Sequence, residues 1–176
     1  MSKIKICILF NLIFISSLSF AQETNFWPSQ LGLPLKDVKQ NILNEYKTAK
    51  IEEYSDHISI DKVIILQRES SILAQVYDGR IYIIGISFST YPADLFKDLN
   101  TYFIKKHGKS IHPYANKMYK EQLANDNKIA FWDVKKYSIM ISLSTFGLNL
   151  QYIDTDLYQE RQKSWLKQLN EEKNKF

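Results

Sequence analysis

His57, His107 and His112 are the first residues to weigh for acid–base or metal chemistry. His107 and His112 stand five apart across Gly108, and a glycine there ends a helix, so the pair lacks the one-face spacing of a helical zinc motif. A transition-metal centre would need a third ligand that the spacing does not supply, and exposed surface histidines are the simpler reading. Asp133 alternates with Ile129 and Phe131, a strand pattern that could turn its carboxylate inward, where desolvation raises a pKa. Serines are common, yet none sits between glycines in a strand–turn–helix nucleophile elbow. The chain has five glycines and shows neither a phosphate-cradling loop nor a dinucleotide fingerprint. Asp37 and Asp98 fall on helix exteriors. These patterns predict no catalytic residue, no metal site and no cofactor. A small hydrolase using His107, His112 and Asp133 is a third reading, because chemistry can be assembled from scattered residues.

Two surfaces remain as candidates for binding. Lys105, Lys106, Lys109, Lys117 and Lys120, with Lys97 before them, make a basic stretch suited to an anionic surface; a solvated helix end and loop would look the same. The other candidate is a sheet face. Tyr137, Ile139, Ile141 and Leu143 alternate with Ser138, Met140, Ser142 and Ser144, and in the next segment Leu148, Leu150 and Tyr152 alternate with Asn149 and Gln151. Such alternation predicts one packed face and one wet face. Ser138, Met140, Ser142, Ser144, Asn149 and Gln151 are therefore the candidate recognition residues, against the alternative of an ordinary solvated sheet.

The elements that would carry these residues follow from periodicity. Leu35, Val38, Ile42, Tyr46 and Ala49 recur at helical spacing and predict a first helix over 35–54. Strands are expected at 62–68, 72–77 and 80–89, with Asp78-Gly79 as a hairpin turn. In the last of these, Ile81 and Ile83 point one way and Tyr82, Ile84, Ile86 and Phe88 the other, so it reads as a central strand covered on both sides. Pro92 opens a second helix whose buried stripe is Leu95, Phe96, Leu99, Tyr102 and Phe103, and Gly108 ends it. A polar connection over 109–127 holds a short helix near 114–123. Strands follow at 128–134, 137–145 and 147–153. Asp156 with Gln159 resembles a helix cap, and a charged helix runs towards the C-terminus, with Trp165 and Leu169 available to dock it. Clustered strands favour an α+β fold: helix, three-stranded meander, helix, three-stranded meander, helix, in one mostly antiparallel sheet. The two helix-plus-meander units could be a duplication.

The N-terminal 21 residues read differently from the rest. Lys3 and Lys5 precede an apolar run, and Ser19 and Ala21 occupy the small positions of a secretory cleavage site. Asn11 and three serines interrupt the run, which argues against a membrane anchor. Cleavage between Ala21 and Gln22 lowers the net charge from +4 to +2 and removes Cys7, the only cysteine. The expected mature protein has no disulfide, no thiol chemistry and no lipid-anchor cysteine. Its near-neutral charge gives no reason to expect a nucleic-acid partner. The organisation expected is a signal peptide (1–21), a leader (22–34), one α+β domain (35–158) and a charged C-terminal helix or tail (159–176). The location is the periplasm or the exterior, with no transmembrane segment after cleavage.

Gly32-Leu33-Pro34-Leu35-Lys36-Asp37-Val38 resembles the helix-opening pattern of small envelope domains of the β-lactamase-inhibitor-protein-like class, which includes outer-membrane assembly lipoproteins. Asp78-Gly79-Arg80-Ile81 resembles the turn-to-strand step of the same units. The resemblance implies a non-enzymatic α+β module that binds another protein through its sheet. The function expected is therefore an exported binding module whose partner is an envelope protein or a toxin: an inhibitor, an immunity protein or an envelope-assembly factor. The alternative is a small-molecule or lipid carrier with an apolar cavity lined by Tyr82, Phe88, Phe96 and Phe103.

Overall fold

The computed structural model describes residues 24–90, 92–111, 128–144 and 146–173. The described chain forms one antiparallel seven-stranded sheet with helices packed on it, an α+β fold. A 3-10 turn, Pro28–Gln30, leads into helix α1, Leu35–Glu45. Strands β1, Ile51–Glu53, β2, His57–Ile65, β3, Arg68–Tyr77, and β4, Arg80–Phe88, follow. After helix α2, Pro92–His107, come β5, Lys128–Val134, β6, Tyr137–Ser144, and β7, Gly147–Asp154, and helix α3, Thr155–Lys173, closes the chain. The spatial order is β1-β2-β3-β4-β7-β6-β5, so each meander is sequential and the two join where β4 pairs with β7.

Helices α1 and α2 lie on one face of the sheet. Val38 and Ile42 of α1, with Leu95, Leu99 and Phe103 of α2, pack into a single core with Ile84, Ile86 and Phe88 of the central strand. The inner parity of the second meander is the one expected: Ile139, Ile141, Leu148, Leu150 and Tyr152 all enter this core.

Several expectations are corrected. The first helix stops at Glu45, not near 54, and Tyr46 leaves helical geometry at φ −117°, ψ 77°. Lys47 to Lys50 turn the chain back, so Ile51 to Glu53 pair with β2 as an added edge strand. The strand expected at 62–68 is two strands. Leu66 and Gln67, both at positive φ (51° and 60°), make a two-residue turn between them. Turns of this left-handed kind usually carry Asn or Gly, which is why the sequence hides it. Asp78-Gly79 does turn as expected, at φ 50° and 70°. The leader at 22–34 is part of the domain wherever it is described. Trp27 is 1% exposed and stacks on Tyr46 at 5.7 Å. Gly32 N–H donates to Ile81 O and Ile81 N–H donates to Leu33 O, which ties this segment to the start of β4. Helix α3 is capped by Asp154, whose Oδ1 accepts the Leu157 N–H at 3.0 Å, and not by Asp156. The expected signal peptide and the helix near 114–123 lie outside the described residues.

A bulge in β4 alters its faces. Gln75 pairs with Ile83 while Val76 pairs with Ile81, leaving Tyr82 as the extra residue. Ile81 consequently joins the inner core with Ile84 and Ile86, while Ile83 packs against the outer-face cluster. The simple alternation read from the sequence fails at this point.

One position tests the junction of the meanders. Gly147 sits at φ 136°, and a Cβ there would lie 2.6 Å from the Phe88 carbonyl oxygen. Gly79, also at positive φ, has nothing within 4 Å of such a Cβ. Gly147→Ala is expected to cost roughly 3 kcal/mol, from strain plus overlap with a backbone atom, and Gly79→Ala about 1 kcal/mol. Urea denaturation of the two variants checks the ranking; equal losses would remove the close contact as the reason.

Candidate functional site

Cross-strand register builds the outer sheet face row by row. Ser71 of β3, Ser87 of β4, Asn149 of β7, Ser142 of β6 and Ile129 of β5 are successive partners and form one row. Leu73, Gly85, Gln151, Met140 and Phe131 form the next. Beyond it run Gln75, Ile83, Ile153, Ser138 and Asp133. Paired residues share a face, so these rows describe the side of the sheet opposite α1 and α2.

Helix α3 divides this face. Phe131, Met140 and Ile153 are buried as a second cluster, with Ile83, Ile129 and Tyr158 packed around them. Tyr82 lies beside Tyr158 at 6.4 Å, and the Arg161 guanidinium stands 5.3 Å from its ring centre. Burial raises the Tyr82 hydroxyl pKa above the usual tyrosine value, an effect the Arg161 charge opposes. The half towards β3 is different. Ser71 and Ser87 are exposed, Leu73 is 42% exposed, and Asn149, Gln151 and Ser142 are half-buried. Ser87 Oγ donates to Asn149 Oδ1 at 2.6 Å, which leaves the Asn149 amide protons for another acceptor. At the end of the row a shallow depression of about 130 Å³ is lined by Ser71, Ser87, Ser89 and Phe146, and Phe146 is 95% exposed.

The six residues read as a wet face are therefore separated. Ser138 and Met140 are buried, at 5% and 3% exposure, since they belong to the part of the face that the second cluster fills. Ser142, Asn149 and Gln151 stay together and half-exposed, and Ser144, half-buried at the β6–β7 turn, accepts the Phe146 N–H. Ser71, Ser87 and Leu73 join them from the first meander. Sequence reading missed these three: Ser87 lies in the strand read as covered on both sides, Ser71 lies just outside the strand expected at 72–77, and Leu73 lies in a strand whose faces the sequence did not separate. The serines at 71 and 87, matched across one strand pair, were the available signal.

The basic stretch is described in part. Lys105, Lys106 and Lys109 are exposed at the end of α2, and Lys106 Nζ donates to Asn25 Oδ1 at 2.5 Å and stands 5.5 Å from the Tyr102 ring centre. Lys117 and Lys120 lie outside the described residues, as does His112. Asp133 is exposed, which corrects the inward placement: it shares the outer face with Ile129 and Phe131 but lies beyond the buried cluster. His57 binds Asp56 Oδ1 through Nδ1 at 2.8 Å and stacks on Tyr54, far in sequence and in sheet position from α2. Among the described residues no three His, Cys, Asp or Glu side chains converge on a metal position. The four aromatic residues expected to line a carrier cavity do not share one space. Phe88 and Phe103 are core, Phe96 packs against that core, and the bulge puts Tyr82 against α3.

His107 carries a consequence for pH. Its ring stacks on Phe103, its Nε2 is buried without a partner among the described residues, and burial followed by the Lys106 charge lowers its pKa. The folded protein then binds this proton less readily than the unfolded chain does. Stability should be full above the ordinary histidine value of 6.5 and fall as pH drops through the window below it. Urea midpoints of wild type and His107→Gln, compared between about pH 7.5 and pH 5, should show a shallower acid-side fall in the variant; parallel curves would remove His107 as the cause.

Compared with known proteins, the chain matches no family model, no curated protein and no solved structure.

Proposed function

We propose that this chain is an exported, non-enzymatic module that binds another protein through the uncovered half of its outer sheet face. One observation carries the reading: a continuous, uncharged row of hydrogen-bonding side chains, Ser71, Ser87, Asn149 and Ser142, crosses four strands from both meanders without a covering helix. Leu73 beside the row and Phe146 at its end add exposed apolar surface. A rigid polar centre flanked by apolar contacts suits protein recognition, where hydrogen bonds set register and apolar burial provides affinity. The resemblance of the 32–38 and 78–81 segments to β-lactamase-inhibitor-protein-like domains points the same way. Under it the partner is an envelope protein or a toxin, and the module acts as an inhibitor, an immunity protein or an assembly factor.

Export rests on the basic, apolar and small-residue succession at the N-terminus. N-terminal sequencing of protein recovered from the periplasm or medium should begin at Gln22; an intact Met1 on protein retained in the cytoplasm would refute export.

The binding face is tested by Ser87→Arg and Leu73→Arg. Both positions are exposed, so each variant should fold with a stability within about 0.5 kcal/mol of wild type. In envelope extracts, wild type should recover a stoichiometric protein that both variants lose. Recovery undiminished in the variants, or no stoichiometric partner with wild type, overturns the assignment.

A further inference from the structure

A corner of the outer face apart from the polar row gathers hydrogen-bond donors that the fold leaves unused. His57 and Gln75 are cross-strand partners on β2 and β3. The Tyr82 hydroxyl donates to Gln75 Oε1 at 2.5 Å, so the amide is held with its NH2 group uncommitted. Arg161 of α3 stands over the Tyr82 ring and has no ion-pair partner among the described residues. The carboxylate whose charge Arg161 feels is Asp56, which also binds His57 Nδ1, while Glu52 accepts from the Tyr54 hydroxyl and Glu160 stands 3.9 Å from Arg80. Tyr158 packs α3 on the second cluster, and Arg161, one turn further on, is exposed beside Tyr82.

We infer that Arg161 and Gln75 form a binding site for a carboxylate carried on an apolar or aromatic group. A guanidinium stacked on a ring keeps its planar N–H edge free, and that edge matches the two oxygens of a carboxylate. The Gln75 NH2 group supplies a further donor from the sheet. Tyr77 and Tyr158, each half-buried with its ring centre 6.4 Å from that of the buried Tyr82, provide the apolar surface that favours a ring or alkyl group behind the carboxylate. His57, held on Asp56 through Nδ1, closes the β2 side. The carboxylate could belong to a small organic acid or to an acidic side chain of a peptide, and the site recognises the chemistry they share. It is independent of the Ser87–Asn149 row.

The experiment is an amide NMR titration of the folded protein near neutral pH with benzoate, benzamide and the peptide acetyl-Phe-Glu-amide. Benzoate should move the signals of residues 56–57, 75, 82 and 161 and saturate, whereas benzamide, the same ring without the charge, should not. Arg161→Gln should weaken benzoate about tenfold. Gln75→Leu should weaken it less, and Arg80→Gln should leave it unchanged. Tighter binding of the peptide than of benzoate assigns the site to a protein carboxylate; the reverse assigns it to a small acid. The inference fails if benzoate and benzamide behave alike, if Arg161→Gln binds as wild type does, or if the shifts map to Lys105, Lys106 and Lys109. Arg161→Gln leaves the polar row in place, so loss of carboxylate binding with retained protein partner, or the converse, separates this site from the protein-binding face.

Discussion

The pairing of β4 with β7 is the contact on which the rest of the molecule depends. Six residue pairs, from Ile83↔Ile153 to Phe88↔Leu148, join segments sixty to seventy positions apart and turn two meanders into one sheet. Without that ladder each meander would present two open edges and half of a core. With it, Ile84, Ile86, Leu150 and Tyr152 meet beneath both helices, and the loop-closure entropy of the long connection is offset by a continuous buried layer. The close approach is tight enough at its end that residue 147 has no room for a side chain against the Phe88 carbonyl. The proposed recognition row lies across this junction, since Ser87 and Asn149 belong to its two strands.

A sheet buried by helices on one side has a second side to cover or solvate, and this chain does both. Asp154 caps α3 directly after β7, so the helix starts at the sheet's end and meets the outer face through Tyr158. The bulge at Tyr82 turns that aromatic ring towards the helix and leaves Ile81 for the core. One inserted residue thus supplies the helix with a docking surface and keeps the inner layer apolar. Arg161 lies on Tyr82 because of the same arrangement.

Much of the inner layer was legible in the sequence. Period-two alternation in β6 and β7 and helical spacing in α1 and α2 identify residues that do pack inward, because burial on one face is a strong selective constraint on side-chain type. The elements that escaped are those set by tertiary pairing. Ile51-Glu52-Glu53 continues a helical pattern and becomes a strand only because β2 offers an edge. Leu66-Gln67 has no turn chemistry of its own and is forced into positive φ by the ladder on either side. The candidate face was half legible. Alternation shows parity but not cover, and nothing local in Ser138 or Met140 distinguishes them from Ser142, which has the same parity and lacks the burial. Arg161 and Gln75 are 86 positions apart, and only the packing of α3 on Tyr82 brings them to one corner.

The edges of the sheet bear on the proposal that recognition uses a face. A long, flat, apolar edge invites another chain to add a strand. Here β1 is three residues long and carries Glu52 and Glu53, and Lys39 binds Glu53 across from α1. Where β1 ends, β2 breaks its own register between Ile60 and Val63, with Lys62 at φ 57°, so the exposed stretch of that strand is bent and charged. At the opposite edge the Ile111 N–H donates to Phe131 O and takes up one of the acceptors of β5. The β1–β2 edge is thereby short, charged and bent, and the β5 edge has the Phe131 carbonyl taken up within the fold. The side chains of the open half-face are donors and acceptors already arranged by the β4–β7 ladder, so a partner of the proposed kind would meet a surface whose ordering the core has already secured.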